Sequence, residues 1–361
     1  MTARLDALHA RLAERELDAL LVSNLVNVRW LTGFTGSNAA AVVGGPPPRF
    51  VTDFRYLTQS AEQLDPVWQR EIETDLLKRA VAGLPSQPLR LGFDDTHLTV
   101  RQHAQLAKLV AGRDGEQAVE LVAAGGIVEA LRAIKDAAEI DRIRAAAQLA
   151  DEAFEEVVGA GIVGRTERDV ALDLEVAMRR RGAEGASFAP IVAAGEHGAL
   201  PHAVPRDVPI PAGTLVVIDW GAQLDGYASD CTRTVATGAL DPRDEAIYET
   251  VLAAQEAALA AVGPGPTGSE VDAIARAIIG AAGHAEHFGH GLGHGVGMEV
   301  HEGPRLSKLG ADALAAGNIV TVEPGIYVPG AIGVRIEDLV AVTADGHEVL
   351  SGLPKTLRTV G

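Results

Sequence analysis

Four carboxylates and one histidine in the C-terminal part of this 361-residue chain carry types and spacings that can do chemistry: Asp219, Asp230, His294, Glu323 and Glu337. The first two lie in a run from Leu215 to Val235 that reads as strand, turn, strand, with Asp225-Gly226 as the turn signal. A turn centred there puts Asp219 opposite Thr232, with Asp230 two residues along the same face. A slip of one residue puts Asp219 opposite Asp230. Strand side chains alternate with period two, so either register leaves both carboxylates on one face. Glu323 and Glu337 lie in a second hairpin, folded about Gly330, which places them opposite each other.

Like charges facing each other on apolar strands are unfavourable, and buried carboxylates must be protonated, paired or bound to metal. A divalent cation is the simplest resolution. Four carboxylates plus a histidine over-supply one ion, so two ions sharing bridging carboxylates is the better count. The histidine comes from Glu286-His287-Phe288-Gly289-His290-Gly291-Leu292-Gly293-His294, followed by His301. Its alternating glycines let the backbone approach closely and turn side chains inward.

In order and spacing these motifs resemble the pita-bread metallopeptidases, the family of methionine aminopeptidase, aminopeptidase P and prolidase. The matching features are Asp219 and Asp230, then His290-x-x-Gly-His294, His301, Val322-Glu323-Pro324-Gly325 and Arg335-Ile336-Glu337. The resemblance covers residues 125 to 361. It extends to the N-terminal third, where Asn27-Val28-Arg29-Trp30-Leu31-Thr32-Gly33 is similar to the creatinase/prolidase N-terminal domain. It implies an α+β chain, with a smaller mixed α/β domain at 1–124 and a pseudo-twofold pita-bread catalytic domain at 125–361.

The resemblance also implies roles. Asp219 would chelate one ion, Asp230 and Glu337 would bridge both, and His294 and Glu323 would complete the coordination of the second ion. Glu323 would also shuttle a proton. Oxygen-rich coordination with one imidazole favours manganese, with cobalt or zinc as substitutes. His202, His290 and His301 would line the substrate and stabilise an oxyanion. Arg335, on the Glu337 face, would brace a ligand from outside its shell, and Tyr327 would border the cavity.

These histidines are similar to those of the proline-specific branch, which implies cleavage of Xaa-Pro bonds. Arg305 stands where some prolidases hold the substrate carboxylate, which favours a dipeptidase. Aminopeptidase P, acting on longer peptides, is the alternative, and a metal-free creatinase-like hydrolase or a non-catalytic binding protein is a third. A homodimer is implied, with the loop Gly33–Asn38 reaching across.

The elements that must position these groups are legible from periodicity. Residues 4 to 17 read as an amphipathic helix, 19 to 23 and 49 to 52 as strands, and 127 to 159 as one long helical stretch. Further helices are expected at 166–181 and 268–282. Charged residues make up 22% of the chain, and the net charge of −18 disfavours nucleic acid and anionic membranes as partners. Cys231 is the single cysteine, which excludes an internal disulfide. With no apolar leader after Met1 and no run of membrane-spanning length, a reducing cytoplasm is the expected compartment.

Overall fold

Short apolar strands alternate with capped helices through the first third of the chain, and they assemble into one mixed sheet. The computed structural model describes residues 2–113 and 118–361. Contacts divide the chain into a unit ending at Arg132 and a unit spanning Ala133–Gly361. In the first, the sheet runs Gln69–Ile72, Arg49–Thr52, Ala39–Val43, Ala19–Val22, Leu89–Phe93, Val119–Ala123. Ala19–Val22 is buried along its length, paired antiparallel with Ala39–Val43 and parallel with Leu89–Phe93. The helix Thr2–Glu14 buries Leu5, Leu8 and Leu12. It stops short of Leu17 because Glu16 enters the left-handed region at φ 54°.

A buried ion pair crosses this unit. Arg49 donates from Nε and Nη2 to Glu71 at 3.1 and 2.8 Å, and its remaining donors reach the carbonyls of Arg79 and Ala80. Arg79 Nε adds a second cation on Glu71 at 2.8 Å.

The stretch expected as one helix from 127 to 159 is two, Ile127–Arg132 and Ala137–Gly159. The physical reason is a capping box. Asp136 accepts from the Glu139 amide while the Glu139 side chain accepts from the Asp136 amide, so a new helix starts there. Lys135 N–H is drawn off to the Gly317 carbonyl at 2.8 Å.

The second unit repeats one plan. The helices Ala137–Gly159 and Glu167–Arg180 pack together, as do Pro242–Ala260 and Gly268–Ala281. Each pair precedes a sheet carrying an acidic hairpin. The first sheet sets Leu215–Trp220 between Ile191–Ala194 and Cys231–Ala236. The second runs Glu302–Leu306, Gly293–Gly295, Ile319–Val322, Asp338–Val342, His347–Val349. Val216, Ile218 and Trp220 enter the core with Leu149, Phe154 and Leu174, and Phe154 stacks on Trp220 at 4.3 Å. Val320 and Val322 enter the core with Val251 and Val271. Alternation then sends Asp219 and Glu323 to the opposite faces. Among the described residues, no helix is long and apolar enough to cross a membrane.

Candidate metal centre

The two hairpins bring their acids together by different local means. In the first, Asp219 stands opposite Thr232, the register of a turn centred on Asp225-Gly226. Those two residues have φ of 49° and 80°, the left-handed pair that a tight hairpin turn needs. Asp230 precedes the strand Cys231–Ala236, so it projects from a gap in the ladder. In the second hairpin, Val322 pairs with Asp338 and Gly325 with Arg335, so Glu323 and Glu337 face each other between two ladders. Pro324 has no N–H to continue the pairing. The freed amides go elsewhere: Glu337 N–H donates to the Thr232 carbonyl at 3.1 Å and Glu323 N–H to that of Leu292 at 2.8 Å. The acids therefore sit where the second hairpin is stitched to its neighbours.

Asp219, Asp230 and Glu337 each present an oxygen within 4.8 Å of the other two. Thr232 Oγ1 donates to Glu337 Oε2 at 2.7 Å and accepts from Arg335 Nε at 2.9 Å. Arg335 Nη2 donates to Asp219 Oδ2 at 2.5 Å. Among the described residues, Asp219 Oδ1 and Glu337 Oε1 are buried with no hydrogen-bond partner. Burial, then the neighbouring carboxylates, pushes Asp230 and Glu337 well above the usual carboxylate range, and Asp219 is raised by burial against the pull of Arg335. Glu323 goes the other way. Burial acts to raise it, but the His294 hydrogen bond and charge lower it to about 2.

The histidines are fixed by backbone carbonyls. His294 Nδ1 lies 3.0 Å from the Gly295 carbonyl, so it carries the proton and leaves Nε2 as a lone pair. That lone pair sits 3.2 Å from Glu323 Oε1 and 3.7 Å from Asp230 Oδ2. Without a cation this arrangement is repulsive unless the ring takes a second proton. His294 is raised in accordance: burial opposes the charge, and Glu323 outweighs it. Five donors, two orphaned oxygens and an imidazole lone pair converging on one place fit divalent cations.

His290 is engaged at both nitrogens. Nδ1 donates to the Gly291 carbonyl at 2.7 Å, so in the neutral ring Nε2 accepts from Tyr327 Oη at 2.9 Å. Tyr327 in turn accepts from Arg335 Nη1 at 2.8 Å. His290 is lowered by burial, and His301 by burial and then the His294 charge. The His301 ring lies 4.3 Å from that of His294.

A cavity of about 450 Å³ joins these groups. Asp219, Asp230, His202, His290, His294, His301, Glu323, Arg335 and Glu337 line it. Tyr327 and Arg305 do not. Tyr327 is buried, with its hydroxyl on His290 and Arg335. Arg305 is exposed and stands opposite His294 in the strand register. The rest of the wall is apolar: Phe188, Pro190, Ile191, Pro201, Ala203, Val204 and Pro205. Sequence reasoning did not single out this wall, since a short apolar run looks the same in a core as in a pocket. Thr232 and Thr321 were also passed over as site residues. Thr321 Oγ1 joins the His294 amide to Glu323 Oε1 at 3.1 and 3.0 Å, and its place two residues before Glu323 was the available signal.

Residues 141–344 match metallopeptidase family M24, and residues 4–134 match the creatinase/prolidase N-terminal domain. The chain is 34% identical to an Xaa-Pro dipeptidase of Pyrococcus furiosus, covering 99% of this chain and 100% of that one. Its structure is similar to that of an Xaa-Pro dipeptidase from Bacillus anthracis, with a TM-score of 0.93, 36% identity and 99% of each chain covered. It is also similar to an X-Pro aminopeptidase from Thermotoga maritima, with a TM-score of 0.86, 33% identity, and 96% and 98% of the two chains covered.

Proposed function

The chain belongs to metallopeptidase family M24, and from that premise we propose that it is an exopeptidase that hydrolyses Xaa-Pro bonds with two divalent cations, and that dipeptides are its preferred substrates. The observation that carries this reading is a five-donor acidic centre opening into a cavity with an apolar wall, of a size suited to a small peptide. Asp219, Asp230, His294, Glu323 and Glu337 would hold the cations, with manganese suited to so many oxygens. Bound there, such ions supply Lewis acidity that polarises a carbonyl and acidifies water.

The chain's own groups do the rest. The Thr321 hydroxyl donates to Glu323 Oε1, the oxygen that also faces His294 Nε2, so Oε2 is the oxygen with capacity to take a proton and return it to the leaving nitrogen. Arg335 neutralises part of the acid cluster and holds the Asp219 carboxylate in place. His202 and His301 offer ring N–H groups from the cavity wall to a developing oxyanion. His290 can join them as a donor only when its Nε2 is released from Tyr327 or the ring is protonated. A proline amide has no N–H, so recognition must come from shape, and the Phe188, Ile191 and Val204 wall supplies it.

Arg305, across the strand from His294, is the candidate for the free carboxylate of a dipeptide. An aminopeptidase acting on longer Xaa-Pro peptides is the second reading, supported by the likeness to the Thermotoga maritima structure. A metal-free reading is disfavoured because all five donors are present. We further assign a homodimer and a cytoplasmic location.

One activity panel with manganese tests this. A Xaa-Pro dipeptide, its amide, a Xaa-Pro tripeptide and a Met-Ala peptide are compared, with bound metal counted by mass spectrometry. The dipeptide acid should be preferred, and two ions should be found per chain. Equal cleavage of acid and amide moves the aminopeptidase reading ahead. Absence of any divalent requirement ends the metallopeptidase proposal.

A further inference from the structure

Glu167 is 1% exposed, in the first turn of the helix Glu167–Arg180, and it is not among the cavity-lining residues. A buried carboxylate needs donors, and this one takes them from a single loop. Oε1 accepts from the Ala194 amide at 3.0 Å and from Arg206 Nη2 at 3.0 Å. Oε2 accepts from His197 Nδ1 at 2.9 Å, the Arg206 amide at 2.9 Å and Arg206 Nε at 3.1 Å. Glu167 is held below the usual range: burial acts to raise it, and the hydrogen bonds from Arg206, Ala194 and His197 together outweigh burial.

Between Ala194 and Arg206 the chain makes a short turn, Gly195–Ala199, and then supplies Pro201, His202, Ala203, Val204 and Pro205 to the cavity. One carboxylate thus closes both ends of the stretch that carries His202. Backbone bonds within the stretch are local, Leu200 to His197 and Ala203 to Leu200. Its inner side is fixed at two points. Arg335 Nη1 donates to the Pro201 carbonyl at 3.2 Å, and Gly198 packs so closely on Gly333 that a Cβ added to Gly333 would lie 1.7 Å from the Gly198 carbonyl oxygen. The outer side is open, with Leu200 and Val204 exposed at 56% and 78%.

We propose that Glu167 is a positioning residue for His202: by holding Ala194, His197 and Arg206 on one carboxylate it sets where the His202 imidazole stands against the substrate. This rests on the peptidase reading of the cavity. A group displaced by about 1 Å loses on the order of 10²-fold in rate, so a clamp outside the cavity has catalytic consequences.

The test compares wild type, Glu167→Gln, His202→Ala and the double variant, all loaded with manganese. Glu167→Gln should lower kcat roughly 10- to 100-fold, with KM changed much less and bound metal unchanged. In the His202→Ala background it should cost nothing further, because two changes acting through one group are not additive. Hydrogen exchange across residues 195–206 should speed up in Glu167→Gln, while the helix Gly268–Ala281 stays protected. Additive losses, lost metal or unchanged exchange in a folded Glu167→Gln protein each overturn the proposal. Should that variant not fold, Arg206→Ala replaces it; its side chain is 40% exposed and its amide contact survives. A smaller loss with the same non-additivity supports the clamp, and an additive one overturns it. If the wild type cleaves no Xaa-Pro peptide, the function reading fails, and the exchange comparison still decides the clamp.

Discussion

In the N-terminal unit, the buried Glu71 meets Arg49 and Arg79, and the donors of Arg49 are taken up by that carboxylate and two carbonyls. In the C-terminal unit, four carboxylates share Arg335, and two of their buried oxygens accept nothing among the described residues. Burial acts to raise all five acids, yet Glu71 ends below its ordinary value, while Asp230 and Glu337 end well above theirs. In the first cluster two guanidiniums match the one carboxylate, so it needs no cation from outside the chain. The second is a surplus of negative charge whose balance has to come from outside the chain. Burial alone does not distinguish a structural charge cluster from a binding one; unmatched lone pairs do.

The largest test of this contrast is removal of donors from the second cluster. Glu323→Ala and Asp230→Ala should each lower kcat on the order of 10³-fold or more, since on the proposed reading each would remove a ligand and Glu323 would also move the proton. Steady-state kinetics with saturating manganese reads this, and activity within tenfold of wild type in either variant rejects the two-cation centre. Next, Glu71→Ala should destabilise the protein by about 3–5 kcal/mol by leaving Arg49 buried without its partner, with kcat of the folded enzyme unchanged. Urea unfolding measures the loss. Chelation comes third. Each ion present at about 100 times its Kd contributes about 2.7 kcal/mol, so removing both with a chelator should lower stability by about 5 kcal/mol and expose the amides of 215–236 and 319–342 to exchange, leaving those around Glu71 unaffected.

The smallest effect concerns Asp151, which is 8% exposed and pushed up to about 6 by burial. Its Oδ2 accepts from the Gly352 amide at 2.6 Å. Its folded value lies above its unfolded one, so the penalty is absent below about pH 4, grows as the unfolded chain loses its proton, and is complete above about pH 6. Asp151→Asn, which keeps an acceptor for Gly352, should therefore gain about 3 kcal/mol at pH 7.5 and nothing at pH 3.5. Thermal unfolding at the two pH values checks it.

The acidic hairpins were legible because two local rules suffice: a left-handed turn at Asp225-Gly226, and alternation along each strand. The spacing also implied that Glu323 faces Glu337. What it did not carry was the destination of the amides released at Pro324, since bonding Glu337 to Thr232 joins residues far apart in sequence. The helix break at Asp136 was present as a capping box, but the continuous apolar periodicity on both sides masked it. The engagement of Tyr327 with His290 and Arg335 was not legible at all, because nothing local says which way a buried hydroxyl points.

Thr232 touches Glu337 through both its carbonyl and its hydroxyl, across 105 positions of sequence. That span has a temporal meaning. A chain growing from its N-terminus completes the Asp219–Asp230 hairpin long before Glu337 exists, so the first half of the centre must wait with its acids solvated or protonated. Closing so long a loop is slow compared with forming either hairpin. On that ground the acidic cluster is expected to assemble late in folding, and a chain interrupted before Glu337 lacks the residue that completes it.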